Sequence, residues 1–253
     1  MTASDTNTNE SGWLGSLRAP QAAPPWTLLD AGLNFGVLAL AMIVIAPTVA
    51  LLVTDATPAS ITGGLIIGWT IGLAVSALYA WLTRRRLPES RAALAIVRGT
   101  IPLPLVLLMG VAAGLTVDLI AAWGSGGQFL SVAELRGISG QAPEWVMAGL
   151  LLVIVQPVAH GLIFFGVLLP RLRASFGPWP GLLLTVAVFV IYHLTIYGER
   201  LPADSQLWYG IIVPGVNALF LAALRLRTGS TLATIIAHVG IGLIAILTAL
   251  ALA

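Results

Sequence analysis

The sequence contains no cysteine and few charged residues. Disulfide bonds, thiolate catalysis and cysteine-bound metals are therefore excluded. Charged residues make up only 9% of the chain, hydrophobic residues make up 58%, and the mean hydropathy is +0.98. A soluble domain of this composition could not cover its surface with polar groups. The composition predicts a polytopic membrane protein, with the lipid bilayer as its first partner.

Lysine is also absent, so all 12 basic residues are arginines. The formal net charge of +2 and the sequence pI near 9.5 would by themselves allow a nucleic-acid partner. Most of the arginines, however, stand just beyond apolar runs, where positive charge sets the orientation of membrane spans. We therefore expect no nucleic-acid partner.

The motifs of common soluble enzymes are missing as well. The sequence has no glycine-rich phosphate loop, no His-Glu-x-x-His zinc motif and no Gly-x-Ser-x-Gly nucleophile turn. Any chemistry must come from polar residues inside the apolar segments.

Seven segments approach the length of about 20 apolar residues that a helix needs to cross the bilayer. They predict an all-α polytopic membrane protein, a bundle of about seven transmembrane helices. The segments cover residues 27–53, 61–82, 101–122, 146–169, 181–197, 207–224 and 229–251. Four-residue spacing of Gly64, Gly68 and Gly72 in the second segment, and of Gly110 and Gly114 in the third, predicts close packing between helices.

The charge distribution predicts the topology and the domain limits. Arginines follow the second, fourth and sixth spans, so the positive-inside rule places the N-terminus in the cytoplasm and the C-terminus outside the cell membrane. Residues 1–26 lack the pattern of a signal peptide and are predicted to be a disordered cytoplasmic tail. Residues 27–253 are predicted to form one transmembrane domain. The external connection 123–145 is predicted to be an ordinary surface loop, with Ser131 and Glu134 as the capping box of one helical turn.

The three histidines of the chain all lie in apolar segments. His160 stands in PVAHGLIFFG, His193 in FVIYHL and His238 in LATIIAHVGIGL. An ionisable group in hydrocarbon is costly unless it is paired, hydrogen-bonded or neutral, so such residues mark the candidate functional centre.

Three motif frames occur in order between residues 146 and 245. The first frame and the FGPW linker that follows it contain Phe164, Phe165, Gly166, Leu168, Leu169, Leu172, Phe176, Gly177, Pro178 and Trp179. Phe189 and His193 form a Phe-x-x-x-His motif, and the third frame begins at His238. In these features the chain resembles the CPBP family, the membrane-embedded Abi-type proteases that process CAAX-type prenylated proteins and bacteriocins. The resemblance implies a CPBP-like bundle in which His160, His193 and His238 share one chamber.

The chain departs from the family pattern at four positions. The two motif glutamates align with His160 and Gly161, the motif arginine with Phe165, and the final asparagine with Gly242. The resemblance implies that the family's glutamate activates water and that its histidines and asparagine stabilise the oxyanion. Most of these catalytic groups are replaced in this chain. We therefore expect a pseudoenzyme without the usual peptidase activity, acting as a binding or structural subunit of a membrane-protein complex.

Two alternatives remain open. Because imidazole can accept a proton, His160, His193 and His238 are candidate catalytic residues of an intramembrane endopeptidase or other hydrolase of altered mechanism. The same three histidines are a candidate metal-ligand set, and one of them alone could ligate haem or the magnesium of a chlorin. The candidate binding residues are neighbours of the histidines along the same helices: Gln156, Phe189 and Tyr197.

Overall fold

A computed structural model describes residues 12–54, 58–127, 129, 133–135 and 141–252. These residues form helices and connections, with no strand among them. The helices are α1 (Trp13–Arg18), α2 (Leu28–Val53), α3 (Pro58–Arg84), α4 (Pro88–Leu94), α5 (Leu103–Gly124), α6 (Ala142–Phe176), α7 (Pro178–Arg200), α8 (Gln206–Thr228) and α9 (Thr231–Ala251). Within the described chain, α2, α3 and α5 to α9 are long and apolar enough to cross a membrane. The predicted all-α bundle of seven spans is confirmed.

Helix ends follow local capping chemistry. Thr27 and Asp30 form a complete capping box at the start of α2, where the Thr27 hydroxyl accepts the Asp30 backbone N–H at 3.1 Å and the Asp30 carboxylate accepts the Thr27 backbone N–H at 2.9 Å. The Ser230 hydroxyl caps α9 by accepting the Ala233 N–H at 3.0 Å. Gly229, with φ of +66°, adopts the left-handed conformation that ends α8.

Four stretches of wide, π-type helix interrupt the spans, and each ends two residues before a proline. The pairs are residues 41–45 before Pro47, 150–155 before Pro157, 161–168 before Pro170 and 206–212 before Pro214. A proline inside a helix has no N–H to donate and its ring collides with the carbonyl oxygen four residues earlier. Widening the preceding turn relieves that collision, which explains the recurring position.

Glycines let the spans approach closely, as their spacing predicts. A Cβ atom added to Gly68 would lie 2.2 Å from the Ala46 carbonyl oxygen, so α3 touches the backbone of α2. A Cβ atom added to Gly110 would lie 2.0 Å from the Ala237 carbonyl oxygen, so α5 touches α9 in the same way. The packing role predicted for these glycines is confirmed.

The prediction of a disordered tail is wrong for residues 12–26. These residues include α1, and Trp26 is only 2% exposed, with its indole N–H donating to the Val167 carbonyl at 3.2 Å. Arg173, at the end of α6, donates to the carbonyl oxygens of Leu17 and Ala19. The segment is held because a buried guanidinium needs acceptors and the passing backbone supplies them. Residues 1–11 lie outside the described part of the chain.

Candidate functional site

The structure brings the three histidines together from three spans. His160 lies on α6, His193 on α7 and His238 on α9. The ring centroid of His160 is 5.2 Å from that of His193 and 5.4 Å from that of His238. Their helices thus meet as the family resemblance implied, although the chemical role assigned to them remains a prediction.

His160 occupies the most enclosed position of the three. Its side chain is fully buried, and its ring meets the edges or faces of Phe164, Phe189 and Tyr192 at centroid distances of 5.3 to 5.5 Å. Neither ring nitrogen has a hydrogen-bond partner among the described residues. Aromatic rings and two other imidazoles therefore surround a group that sequence reasoning treated as a candidate base.

His193 is oriented by Phe189, one turn earlier on α7. The two ring centroids are 4.2 Å apart, and His193 Nδ1 lies 3.0 Å from the Phe189 carbonyl oxygen. A carbonyl can only accept, so Nδ1 carries the proton and donates. In the neutral imidazole, Nε2 is then left as an acceptor.

A small polar chamber adjoins this cluster, in the half of the bundle next to residues 133–135. Its volume is about 90 Å³. The polar residues that line it are Glu134, Gln156, His193, Tyr197, Tyr209, Asn217 and His238. Two of the wide helical stretches, residues 150–155 and 206–212, border it. His160 and Phe189 are not among the residues that line the chamber, so they pack in the layer behind its wall.

Glu134 is the site residue that sequence reasoning missed. It lies in a 3-10 turn, Ala133–Leu135, and is only 6% exposed. The Gln156 amide donates to its carboxylate at 3.0 Å. The prediction of an ordinary surface loop is therefore wrong at this turn, because the turn inserts the Glu134 carboxylate between the spans. Ser131, the proposed capping partner, lies outside the described residues.

Burial raises the pKa of the Glu134 carboxyl above its ordinary value, because desolvation disfavours the charged form. Hydrogen bonds from its own backbone and from Gln156, together with the positive charge of Arg200, oppose that increase. The sequence offered one signal for this residue: a carboxylate in the long connection between α5 and α6 of a chain whose motif carboxylates are absent.

Two of the predicted binding residues hydrogen-bond to side chains other than the histidines. Gln156 bonds to Glu134 rather than to His160. Tyr197 approaches the Tyr192 hydroxyl, with 3.4 Å between the two oxygens, and its ring packs edge-on against Trp69. Gln156 and Tyr197 nevertheless line the chamber, whereas Phe189 packs against the imidazoles of His160 and His193 and is not among the lining residues.

Helix packing has closed the space at two motif positions that hold glycine. A Cβ atom added to Gly161 would lie 2.3 Å from Ile235 Cγ1, and one added to Gly242 would lie 2.1 Å from the Leu152 carbonyl oxygen. The first contact is with a side chain and the second with backbone. Gly242 therefore serves a helix contact, and an asparagine could not be accommodated there without a backbone shift.

The site residues do not fit a metal centre. Within the described chain, no group of three or more His, Cys, Asp or Glu side chains is arranged to hold a metal ion. A chamber of about 90 Å³ is also too small to enclose a haem or a chlorin. The geometry of these residues thus gives no support to the metal and pigment alternatives.

An all-helical bundle that gathers three histidines from three spans beside a small polar chamber defines a polytopic membrane protein with an intramembrane site. Residues 142–244 match the family model described as Type II CAAX prenyl endopeptidase Rce1-like. This part of the chain is similar to the CAAX protease family, the CPBP family, and the resemblance drawn from its motif frames is confirmed. The matched region contains all three histidines. Comparisons with curated proteins and with solved structures found no match.

Proposed function

We propose that this protein is a non-proteolytic member of the CAAX protease family that binds a ligand in its intramembrane chamber, as part of a complex in the cell membrane. The observation that carries the proposal is the state of the motif positions. The residue at the place of the first glutamate, His160, is sealed among aromatic rings and does not line the chamber. A general base must reach the proton that it removes, directly or through one water, and His160 has no such access.

The neighbouring motif positions support the same proposal. Gly161 and Gly242 are packed against Ile235 and Leu152, so the volume that a second glutamate and an asparagine would need is occupied. Phe165, at the place of the motif arginine, is fully buried in the apolar core. The polar chamber itself persists beside these changes, which favours binding over proteolysis.

A hydrolase of altered mechanism is the second candidate, and Glu134 is the observation that favours it. A carboxylate in the chamber could take a proton from water as the water attacks a substrate carbonyl, then pass that proton to the leaving amine. His238 lines the same chamber and could donate to the developing oxyanion, and His193 lies beside it on the chamber wall. The candidate base in this version is Glu134 rather than His160.

Purification tests the two candidates together. The full-length protein, extracted gently from native membranes, is examined on a gel for stoichiometric partners and by absorption spectroscopy for a pigment. The same protein in proteoliposomes is incubated with prenylated CAAX peptides, beside a His193→Ala variant. We expect co-purifying partners and no cleavage above that of the variant. Cleavage that is lost in both His193→Ala and Glu134→Gln would contradict the non-proteolytic proposal and establish the hydrolase.

A further inference from the structure

The chamber wall carries one charged side chain, and it is negative. Of the described residues that line the chamber, Glu134 is the only carboxylate, and none is an arginine. Arg200 acts on Glu134 electrostatically but does not line the chamber, and it packs over the Trp69 ring at 5.4 Å. The chamber surface therefore includes the Glu134 carboxylate but does not include Arg200, the cation that acts on it.

Two further hydrogen-bond acceptors can be assigned on the wall, one on Asn217 and one on His193. The buried Oδ1 atom of Asn217 has no hydrogen-bond partner among the described residues. His193 donates from Nδ1 to a backbone carbonyl, so its Nε2 atom is an acceptor in the neutral ring. His238 is more than nine-tenths buried, and its Nδ1 atom also has no partner within the described chain. Unpaired buried polar atoms are costly, which indicates that something in the chamber bonds to them.

Size and aromatic surface narrow the choice of ligand. A volume of about 90 Å³ corresponds to roughly three water molecules at about 30 Å³ each. Tyr197 and Tyr209 line the chamber, and aromatic faces attract cations. The wall thus suits a small, positively charged group that donates several hydrogen bonds.

We infer that the chamber binds a primary ammonium group, whose three N–H donors are accepted by the Glu134 carboxylate, His193 Nε2 and Asn217 Oδ1. This inference rests on the proposed binding function. An ammonium group has three donors and no acceptor, so it matches a wall of acceptors better than a hydroxyl or an amide does. Its charge also offsets the cost of holding an ionised carboxylate between membrane spans.

Methylammonium is the probe that tests this assignment. The full-length protein in phosphatidylcholine nanodiscs is titrated with methylammonium chloride, potassium chloride or tetramethylammonium chloride at equal ionic strength. Binding is followed by calorimetry and by the shift in Tm. We expect methylammonium alone to bind and to raise Tm, because potassium lacks directed donors and tetramethylammonium has charge without an N–H group.

Variants separate a specific site from a general effect of charge. Glu134→Gln should weaken methylammonium binding roughly tenfold or more, since it removes the carboxylate of a buried charge pair. Glu199→Gln is the matched control, because Glu199 is an exposed carboxylate at the end of α7, and it should bind normally. If Glu134→Gln fails to fold, Asn217→Ala should weaken binding about fivefold through the loss of one hydrogen bond.

Nanodiscs that contain phosphatidylethanolamine identify the source of the ammonium group. If a lipid headgroup occupies the chamber, this lipid will raise Tm and reduce the methylammonium response. If a protein side chain is the source, the lipid will change neither, and a lysine-containing peptide will compete where its trimethyl-lysine counterpart does not. Either result supports the ammonium assignment.

The assignment is overturned if methylammonium behaves like potassium, which would mean a chamber filled with water only. It is also overturned if Glu134→Gln and Glu199→Gln lower binding equally. Either of these outcomes would leave the non-proteolytic proposal unaffected. Peptide cleavage that depends on Glu134 and His193 would instead contradict the non-proteolytic proposal, and it would not contradict ammonium binding.

Discussion

At the scale of single residues, the chemistry of this site depends on which polar atoms reach the chamber and which are sealed behind it. His193 and His238 reach it, and His160 does not. His160 is therefore enclosed among aromatic rings, whereas Glu134, a carboxylate from a connecting turn, lines the chamber.

The first prediction follows from the enclosure of His160. Because the described residues give its ring nitrogens no hydrogen-bond partner, His160→Leu should raise the free energy of unfolding by about 1 kcal/mol, through removal of two unsatisfied polar atoms. His160→Ala should lower it by about 2–4 kcal/mol, because it leaves a cavity. Thermal unfolding in one detergent checks both variants. Equal losses for Leu and Ala would show that the imidazole makes a bond that stabilises the fold.

The second prediction concerns pH and Glu134. Its pKa in the folded protein is raised by burial above the ordinary 4.5. The folded state therefore binds the proton more tightly than the unfolded state, and this part of the stability is present at low pH and lost as pH rises through the raised pKa. Arg200, Tyr192 and Tyr197 interact with Glu134 electrostatically and Gln156 donates a hydrogen bond to it, and none of the four changes its charge in that range.

The measurement is Tm as a function of pH for the wild type and for Glu134→Gln. We expect the Tm of the wild type to exceed that of Glu134→Gln at pH 4, and we expect this difference in Tm to shrink steadily from about pH 4.5 upward. Glu199→Gln, which removes an exposed carboxylate outside the chamber, is measured beside it as the control for the loss of one charge. A difference that grows with pH would mean that Glu134 is held as a stabilised carboxylate, contrary to the direction of its pKa.

Sequence reasoning found the histidines but not the carboxylate, for a physical reason. Polar groups in long apolar runs stand out because burial there is certain, so His160, His193, His238 and Gln156 could be named in advance. Glu134 lies in a polar connection, where a carboxylate is ordinarily solvated. Only the path of the chain between α5 and α6 brings it into contact with Gln156, and local composition does not determine that path.

At the scale of helices, prolines and glycines set the geometry of the chamber. The wide turns before Pro157 and Pro214 border it, and each widening changes the direction in which later side chains of the span point. Hydropathy can locate a span but does not record such a local change in helical twist. This is one reason why the partners of Gln156 and Tyr197 could not be predicted from their positions in the sequence.

The third prediction tests the close contact between α9 and α6. Gly242→Ala should lower the free energy of unfolding by about 1–3 kcal/mol, because the new methyl group would meet the Leu152 carbonyl. Gly36→Ala is the matched control within α2, since a Cβ atom added there meets nothing within 4 Å. It should be neutral or slightly stabilising, as alanine favours helix. A harmless Gly242→Ala would indicate that the two helices are farther apart.

The fourth prediction concerns the end of α4, the short helix that begins at Pro88. Ala95 adopts φ of +52°, a left-handed conformation that is unfavourable for any residue with a Cβ atom, and its carbonyl accepts the Thr231 N–H at 2.9 Å. Ala95→Gly should therefore stabilise the protein by about 1 kcal/mol. Ala92→Gly, at an exposed position inside the same helix, should destabilise it by about 1 kcal/mol. Opposite shifts in Tm would confirm the local geometry, and a loss of stability in both variants would contradict it.

At the scale of the whole molecule, the seven spans could be predicted because the bilayer imposes a length and an apolar composition on each of them. The contacts of the N-terminal segment could not be predicted in this way. Residues 12–26 are rich in proline and polar groups, as disordered tails are, yet Arg173 and Arg171 at the end of α6 bind their backbone carbonyls. Contacts between distant parts of the chain override composition where a buried cation needs acceptors.

The fifth prediction tests the orientation of the whole bundle. Arginines cluster at or just beyond the ends of α3, α6 and α8, so we expect that face to be cytoplasmic and the connection after α7 to lie outside the cell. The chain has no cysteine, so Arg86→Cys and Glu199→Cys each introduce a single thiol at an exposed position. A membrane-impermeant maleimide should label Glu199→Cys in intact cells, and Arg86→Cys only after permeabilisation. The reverse pattern would place Glu134 and the chamber on the cytoplasmic side, and would restrict the ammonium group to cytoplasmic sources.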